Sequence, residues 1–329
     1  MKISPVQTYK YTYTSPKQKN ISFSSLKLKN DENDFSDTSF YRDIQTLMFA
    51  AHILKQTFPN GACIMDFASS NGEEAISLYS FLNDTNNNNY KIYCYDKSDK
   101  AVELGQKGIY TVFSPQSYDY FLLPGYTLSN TKNEVRRCFN EIMQETEKPD
   151  YEINDTDFIN QLKETSDFRI KYYKLKDRYR DKIEIQKGDI NNIEKLLPEK
   201  KAGAILFRNA MYIETGNLAV NEFSFNEDLN IYKKEIIEKI VDKVYDKLLP
   251  GGLFILGDVE KDHIYIADNQ VKDEDKIFLR NFGTYVYKKP PLWEALAKDD
   301  RFEPVLYKKV ASPAALGKEE KVPTVWRKK

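Results

Sequence analysis

Cysteine and histidine are scarce in this chain. Its 329 residues include three cysteines and two histidines. Cys63, Cys94 and Cys138 are too few and too far apart for a disulfide framework or a Cys-x-x-Cys metal site. A reducing compartment is therefore the simplest setting, and the shortage of metal-binding side chains disfavours a metal enzyme.

Long apolar runs and an excess of one charge are also missing. No stretch approaches the roughly 18 apolar residues of a membrane helix, and the N-terminus lacks the apolar core of a signal peptide. Forty-nine basic against fifty acidic side chains leave a net charge of −1. This balance gives no global attraction to nucleic acid or to an anionic membrane, although a local patch stays open. We expect a soluble, cytoplasmic protein without membrane insertion, and no feature indicates its oligomeric state.

The chain divides by composition near position 34. Residues 1–34 are rich in Ser, Thr, Lys, Asn and Tyr without periodicity, which predicts a flexible tail. Their Tyr-rich YKYTYT segment leaves an interaction tail as the alternative. We assign residues 35–329 to one domain. Its first helix is predicted over 38–58, with Asp37 or Thr38 as the N-cap.

Strand and helix patterns then alternate, which is typical of parallel βαβ units. The predicted strands read ACIMDFA, KIYCYD, IEIQKGD, AGAILFRNA and LFILGDVE. The most regular amphipathic helix, YKKEIIEKIVDKVYDKLL, ends at LPGG before the fifth strand. The pattern predicts an α/β fold with a doubly wound, mostly parallel, Rossmann-like sheet.

Two regions do not fit the alternation. Residues 113–180 contain aromatic-rich SYDYFLLPGY and two helix-like charged stretches, which predict an inserted helical lid or small subdomain between the second and third strands. Near the end, TYVYKKP, FEPVLYKKV and VPTVWRKK surround the helix-like PLWEALAKD. We predict that these three segments are antiparallel edge strands, where basic residues discourage intermolecular pairing.

A turn of small residues follows the first predicted strand. In an open parallel sheet, ligands bind at the carboxyl ends of the strands. The turn Ala68–Gly72 lets the backbone approach a ligand closely, but it lacks the three glycines of a dinucleotide fingerprint. Glu73 and Glu74 at the helix entrance disfavour a pyrophosphate, and therefore NAD or FAD. They also suit a purely structural role as negative charge at a helix N-terminus, so both interpretations stay open.

Polar side chains end the next three strands. Asp96 follows Gly72 by about 24 residues, close to the spacing at which an acid meets ribose hydroxyls in such folds, although an Asp there also caps helices. Asp189 has the corresponding place for an adenine contact, with capping of the NIEKLL turn as the alternative. Arg208 and Asn209 end the fourth strand abruptly. Because an unpaired Arg is costly to bury, this end is predicted to face a cleft.

Taken together, these segments resemble the CheR family of chemotaxis-receptor methyltransferases. The matches lie in the family's order, and they are similar to its Thr-x-Phe-Phe-Arg segment, its Ser-Thr-Gly-Glu-Glu turn, its Asp-ended second strand, its Arg-Asn strand and its closing Pro-Gly-Gly strand. The matching ranges are Thr38–Arg42, Ser70–Glu74, Asp96–Tyr110, Phe207–Tyr212 and Leu248–Glu260.

The resemblance implies a class I methyltransferase that uses S-adenosyl-L-methionine and releases S-adenosyl-L-homocysteine. In the implied site, Arg42 pairs with a carboxylate near the methionine part, Asp96 holds the ribose, and Asp189 lies by the adenine. Tyr212 and Tyr41 are candidates to pack beside the sulfonium or to orient the acceptor, with ordinary packing as the alternative for both and as the preferred interpretation for Tyr41. We predict Tyr212 and Arg42 as the catalytic residues. The implied cofactor contacts are Thr38, Arg42, Ala68, Gly72, Glu73, Glu74, Asp96, Asp189, Ile190, Arg208 and Asn209.

The methyl acceptor is left open. The family's N-terminal helical domain has no counterpart before Thr38, so the resemblance does not carry over the receptor substrate. Methyl transfer is an in-line displacement, and a carboxylate acceptor, such as a protein glutamate, needs no general base because it is already ionised at neutral pH. This suits a chain whose only histidines are His52 and His263. A catalytically silent, cofactor-binding regulatory protein is the alternative, and a nucleotide-dependent oxidoreductase is disfavoured by the single-glycine turn.

Overall fold

The computed structural model describes residues 26–29, 35–38, 40–83, 89–115, 129–154, 160, 168–208, 227–256, 278–280, 283–285, 291–311 and 319–329. The strands are β1 (Leu26–Lys29), β2 (Phe35–Thr38), β3 (Cys63–Phe67), β4 (Lys91–Asp96), β5 (Ile109–Pro115), β6 (Met143–Thr146), β7 (Phe168–Leu175), β8 (Ile183–Lys187), β9 (Ala202–Phe207), β10 (Leu248–Leu256), β11 (Phe278–Arg280), β12 (Gly283–Tyr285), β13 (Phe302–Ala311) and β14 (Glu319–Lys328). The helices are α1 (Ile44–Thr57), α2 (Glu73–Leu82), α3 (Asp99–Lys107), α4 (Ser129–Ile142), α5 (Glu227–Lys247) and α6 (Pro291–Lys298), with 3-10 turns at Asp177–Lys182 and Ile190–Asn192.

Seven strands form the central sheet, in the order β13-β14-β10-β9-β3-β4-β8. Strands β8, β4, β3, β9 and β10 are parallel, and β14 runs antiparallel to both of its neighbours. Along the chain, the parallel strands follow the doubly wound order 3-2-1-4-5, so the winding reverses between β3 and β9. The predicted Rossmann-like sheet with antiparallel C-terminal strands is confirmed. The prediction of three antiparallel edge strands is wrong in part: β13 lies at one edge of this sheet, but β14 lies inside it. The start of TYVYKKP belongs to β12, which pairs with β11 in a separate two-stranded sheet, and residues 286–290 lie outside the described ranges.

Apolar strands form the middle of this sheet because helices cover both faces. All six residues of β9 are buried. On one face, side chains of α1 and α2 pack against alternate residues of β3, β4 and β9, including Ile64 and Ile92. On the other face, α5 and α6 pack against the intervening residues, including Met65 and Ile205. The rigid sheet therefore fixes the relative positions of the strand ends.

The first helix begins later than its sequence pattern predicts. It starts at Ile44 with Asp43 as the N-cap residue, and Thr38 instead ends β2, opposite Leu26 of β1. The predicted start at Asp37 or Thr38 is wrong because Tyr41 and Asp43 both have a left-handed φ of 55°, which interrupts a helix. Part of the predicted tail is therefore strand β1, and the rest of the tail, residues 1–25 and 30–34, lies outside the described residues.

The region between the second and third parallel strands contains its own small sheet. Strands β5, β7 and β6 pair antiparallel in that order, and α4 precedes β6 along the chain. The described part of the 113–180 insert is therefore mixed rather than helical. Residues 168–175, in a charged part of the insert predicted to be helix-like, instead form β7. Their sequence FRIKYYKL interleaves apolar and charged residues, and the strand pairs with a neighbour on each side. Within the ranges described, no helix is long and apolar enough to cross a membrane.

Candidate functional site

The turn between β3 and α2 has an alternating left-handed backbone. Ala68, Ser70 and Gly72 have φ values of 54°, 52° and 91°. Glycine adopts this conformation freely, but Ala and Ser pay about 1–2 kcal/mol each for it. Strain of this kind persists where the surroundings hold it, and it clusters at ligand sites. The turn lies at the point where the winding of the sheet reverses, and Ala68 is exposed there.

Asp96 ties this turn to the end of the neighbouring strand. Its Oδ2 accepts a hydrogen bond from the Ser70 backbone N–H at 2.7 Å, and its Oδ1 accepts one from the Ser98 N–H at 2.9 Å. Each carboxylate oxygen has a second lone pair. The half-buried Asp96 can therefore position the turn and still accept hydrogen bonds from a ligand diol.

Arg208 lies at the centre of a buried ionic cluster. Its Nη1 donates to Glu74 Oε2 at 2.6 Å and to the Arg42 carbonyl at 3.3 Å, while its Nη2 lies 3.4 Å from Asp43 Oδ2. The side chains of Arg208, Glu74 and Asp43 are 2%, 11% and 1% exposed. The cluster therefore joins the end of β9, the start of α2 and the segment before α1.

Asp66 adds a further buried carboxylate to this cluster. Burial, followed by the charge of Glu74, raises its pKa well above the ordinary value, and Arg208 opposes the shift. Burial also raises the pKa of Glu74, against the lowering effect of Arg208 and Arg42. Asp66 Oδ2 and Glu74 Oε1 have no hydrogen-bond partner within the described part of the chain. The cluster can thus hold a proton or accept hydrogen bonds from a cationic group.

Glu73 and Glu74 lie in different surroundings. Glu73 is fully buried, and its Oε1 accepts from Asn71 Nδ2 at 3.2 Å. Burial raises the pKa of Tyr110, and the charges of Cys94 and Glu73 add to that shift. Of the two glutamates, the structure brings Glu74 into the ionic cluster.

Asp189 caps the turn that follows it, which is the structural alternative for this position. Its Oδ1 accepts from the Asn191 N–H at 2.8 Å and caps the 3-10 turn, while its Oδ2 pairs with Lys97 Nζ at 3.0 Å. A backbone hydrogen bond from Gly188 to the Asp96 carbonyl, of 3.0 Å, holds this end of β8 against the end of β4. Ile190 is buried directly after Asp189.

Other predicted residues fall in three groups. Thr38 is buried at the end of β2, and Gly72 packs closely, since a Cβ there would lie 2.8 Å from Ile185 Cδ1. His52 is exposed on α1, where its Nε2 lies 3.0 Å from Gln56 Nε2. The remaining predictions lie outside the described residues; these are Asn209, Tyr212 and His263.

Two acids of the cluster, Asp43 and Asp66, are absent from the residues predicted from sequence. Each had a local signal. Asp66 is flanked by apolar residues inside a buried strand, where an acid is rare unless it has a function. Asp43 directly precedes the helix, which by itself indicates only a cap.

Comparisons with known proteins add a structural likeness. No protein-family model and no curated protein sequence matches this chain. It is similar to the structure of TrmN from Thermus thermophilus, with 11% identity and a TM-score of 0.35, over 85% of this chain but only 48% of that one.

Two further methyltransferase structures are similar to this chain over most of their lengths. The O-methyltransferase from Bacillus cereus, in complex with SAH, has 10% identity and a TM-score of 0.38, over 89% of this chain and 83% of its own. SAM-bound CalS10, an amino pentose methyltransferase from Micromonospora echinaspora, has 9% identity and a TM-score of 0.37, over 88% and 92%. At these values the likeness assigns neither an activity nor a substrate.

Proposed function

We propose that this chain is an S-adenosylmethionine-dependent methyltransferase of class I, similar to the CheR family. One observation carries the proposal. The left-handed turn Ala68–Gly72, held by Asp96, and the buried Glu74–Arg208 pair lie at the strand ends on either side of the point where the winding reverses. This is the place where doubly wound sheets bind nucleoside-containing ligands.

The donor set suits the parts of this cofactor. Asp96 would accept hydrogen bonds from the ribose hydroxyls, and Asp189 with Ile190 would contact the adenine. Arg42, Glu74 and Arg208 would contact the methionine part, whose ammonium and carboxylate need partners of both charges. Thr38, Glu73 and Gly72 act mainly by shaping these elements. Asn209 directly follows Arg208 in the chain, and Tyr212 follows three residues later. The paired charges at this end of the sheet support this assignment.

Bound S-adenosylmethionine supplies an electrophilic methyl group on a positively charged sulfur. The ionic cluster itself contains three buried carboxyl groups, Asp43, Asp66 and Glu74, beside the buried guanidinium of Arg208. Carboxylates in such surroundings attract an organic cation such as the ammonium of the methionine part. In the described ranges, no group of three or more His, Cys, Asp or Glu residues could hold a metal ion.

We propose a carboxylate, such as a protein glutamate, as the methyl acceptor. Its pKa of about 4 means that it is ionised at neutral pH, so no residue of the chain must remove a proton. The residues therefore bind and orient the two reactants, and we assign the orienting role to Arg42 and Tyr212. The three free cysteines support a reducing, cytoplasmic setting for the reaction.

Calorimetric titration with S-adenosylmethionine and S-adenosylhomocysteine tests the cofactor site. We expect saturable binding, and we expect Asp96→Asn to weaken it by about 10- to 100-fold, since a charge-assisted hydrogen bond contributes about 1.5–3 kcal/mol. Asp242→Asn is the control. Asp242 is an exposed acid of α5 that pairs with Arg301, and neither residue belongs to the predicted site. Folded wild-type protein that binds neither compound, once freed of co-purified ligand, would overturn the proposal.

The acceptor needs a separate experiment. Radiolabelled methyl groups transferred to a carboxylate form an ester, which mild base hydrolyses to volatile methanol. We expect the label incorporated into protein acceptors to be base-labile. A base-stable label would show a nitrogen or ether-oxygen acceptor instead, and tight cofactor binding without transfer to any acceptor would indicate the silent regulatory protein.

A further inference from the structure

The segment Phe40–Asp43, called here the 40–43 turn, is anchored to α2 by Tyr41. The Tyr41 N–H donates to Ser77 Oγ at 2.9 Å, and the Tyr41 hydroxyl donates to Ser80 Oγ at 2.9 Å. The ring also meets Phe81 edge-on, with centroids 5.4 Å apart. With Tyr41 only 1% exposed, this face of the turn is fixed to the sheet domain.

The opposite face of the turn packs against the insert through Phe139 of α4. The Phe139 ring lies 5.3 Å from Phe40, nearly perpendicular at 86°, and 6.3 Å from Tyr41. Behind it, Tyr173 of β7 lies 5.0 Å from Phe139, and Tyr110 of β5 lies 5.7 Å from Phe40. Phe139 is fully buried. The turn is therefore packed against the rings of Phe139 from the insert and Tyr110 from β5, and Tyr173 supports Phe139.

The polar end of the same turn holds Arg208. The Arg42 carbonyl accepts from Arg208 Nη1 at 3.3 Å, and Asp43 Oδ2 lies 3.4 Å from Arg208 Nη2. Both contacts depend on an unfavourable backbone, because Tyr41 and Asp43 are left-handed without being glycine. Such a conformation persists only where surrounding packing enforces it. The packing on the insert side is centred on Phe139.

We propose that Phe139 is a positioning residue for the cofactor site, acting on Arg208 through the 40–43 turn. The inference rests on the proposed function and extends it, since it makes the insert part of the apparatus that binds the cofactor. The insert does not need to touch the ligand. Its helix α4 holds the turn, the turn holds the guanidinium, and the guanidinium orients Glu74.

Phe139→Leu tests this coupling because it keeps an apolar side chain but removes the ring. The matched control is Phe302→Leu. It removes a similarly buried ring, 5.8 Å from Tyr245, from the core on the face of the sheet that α5 and α6 cover. We expect both variants to lower the melting temperature by similar amounts. We expect only Phe139→Leu to weaken S-adenosylmethionine binding, by about 5- to 20-fold, within the range of coupling energies between interacting residues.

A second readout separates positioning from loss of stability. If Phe139 acts through the turn, Phe139→Leu should weaken binding much less in an Asp43→Asn background than in the wild type, because the contact it maintains is already impaired. The inference would be overturned if the losses of binding free energy caused by Phe139→Leu and Asp43→Asn added fully in the double variant. Equal affinities of the Phe139→Leu and Phe302→Leu variants would also overturn it.

A milder variant covers the case in which Phe139→Leu does not fold. Tyr173→Leu removes the ring that supports Phe139 from behind, and Tyr173 is only half-buried. It should weaken cofactor binding in the same direction, and unchanged affinity would count against the inference. Absence of binding by wild-type protein would instead contradict the proposed function, so the two failures are distinguishable.

Discussion

The guanidinium of Arg208 donates to the carboxylate of Glu74 across 2.6 Å, and both side chains are almost removed from solvent. One residue ends a strand and the other lies in the first turn of a helix. Burying charges is costly, and the attraction between them offsets this cost only while both partners are present. The pair therefore makes the stability of the fold and the proposed cofactor site depend on the same contact.

Removal of one partner should be more damaging than removal of both. Arg208→Met leaves Glu74 as an uncompensated buried charge, and we expect it to lower the free energy of unfolding by about 3–5 kcal/mol. The double variant Arg208→Met/Glu74→Gln should recover part of that loss. Urea unfolding of the three proteins measures the effect, and a double variant less stable than Arg208→Met would contradict this account.

Asp66 should make stability depend on pH. Its pKa in the folded protein is raised well above 3.8, first by burial, so folding favours the protonated form. This contribution is fully present below the unfolded-state pKa and is lost as the pH rises through the folded-state value. Asp66→Asn, which cannot ionise, should therefore gain stability relative to the wild type as the pH rises from about 4 to about 8. Urea unfolding measures the difference in free energy of unfolding between the two proteins. A difference that stays constant across that pH range would contradict a raised pKa for Asp66.

Any side chain at Gly72 should destabilise the fold. Its φ of 91° disfavours other residues, and an added Cβ would lie 2.8 Å from Ile185 Cδ1. We expect Gly72→Ala to cost about 1–3 kcal/mol. In that background, Ile185→Val removes the clashing methyl group and should restore part of the stability, whereas the same substitution alone should destabilise by about 0.5–1.5 kcal/mol. Thermal unfolding of the four proteins provides the comparison.

Ala68 should show the reverse behaviour. Its left-handed backbone, with φ of 54°, is strained for alanine but free for glycine. We expect Ala68→Gly to be neutral or stabilising by up to about 1 kcal/mol, after the entropy cost of glycine. The control Ala75→Gly, inside α2, should destabilise by about 1 kcal/mol or more. Similar losses of stability in both variants would contradict backbone strain at Ala68.

The sheet was predictable because its strands carry a strong local signal. The strands at the middle of the sheet are short, largely apolar runs, as in CIMDF and AGAILF, and helical patterns lie before or after them. The interior position of β14 was not predictable in this way. Neighbours in a sheet depend on tertiary pairing, and the basic residues of VPTVWRKK suggest an edge although Trp326 is buried.

The site was predictable only where residues follow strands. Asp96, Asp189 and Arg208 are found by their positions at strand ends, and the structure gives each of them a polar partner. The 40–43 turn has no such signal, since tyrosine is rarely left-handed and Asp43 by itself indicates only a cap. Asp66 has the local signal of an acid within an apolar strand, but that signal does not show which charges lie beside it in the folded chain.

The interior position of β14 also orders events during synthesis. In the described part of the chain, strand β10, with its apolar Leu253, Phe254 and Ile255, pairs with β14 on that side, and β13 joins the sheet through β14. Until the residues of β14 have been synthesised, this side of β10 has no strand beside it. At about 5–20 residues per second, that exposure lasts several seconds, long enough for a chaperone or another nascent chain to bind.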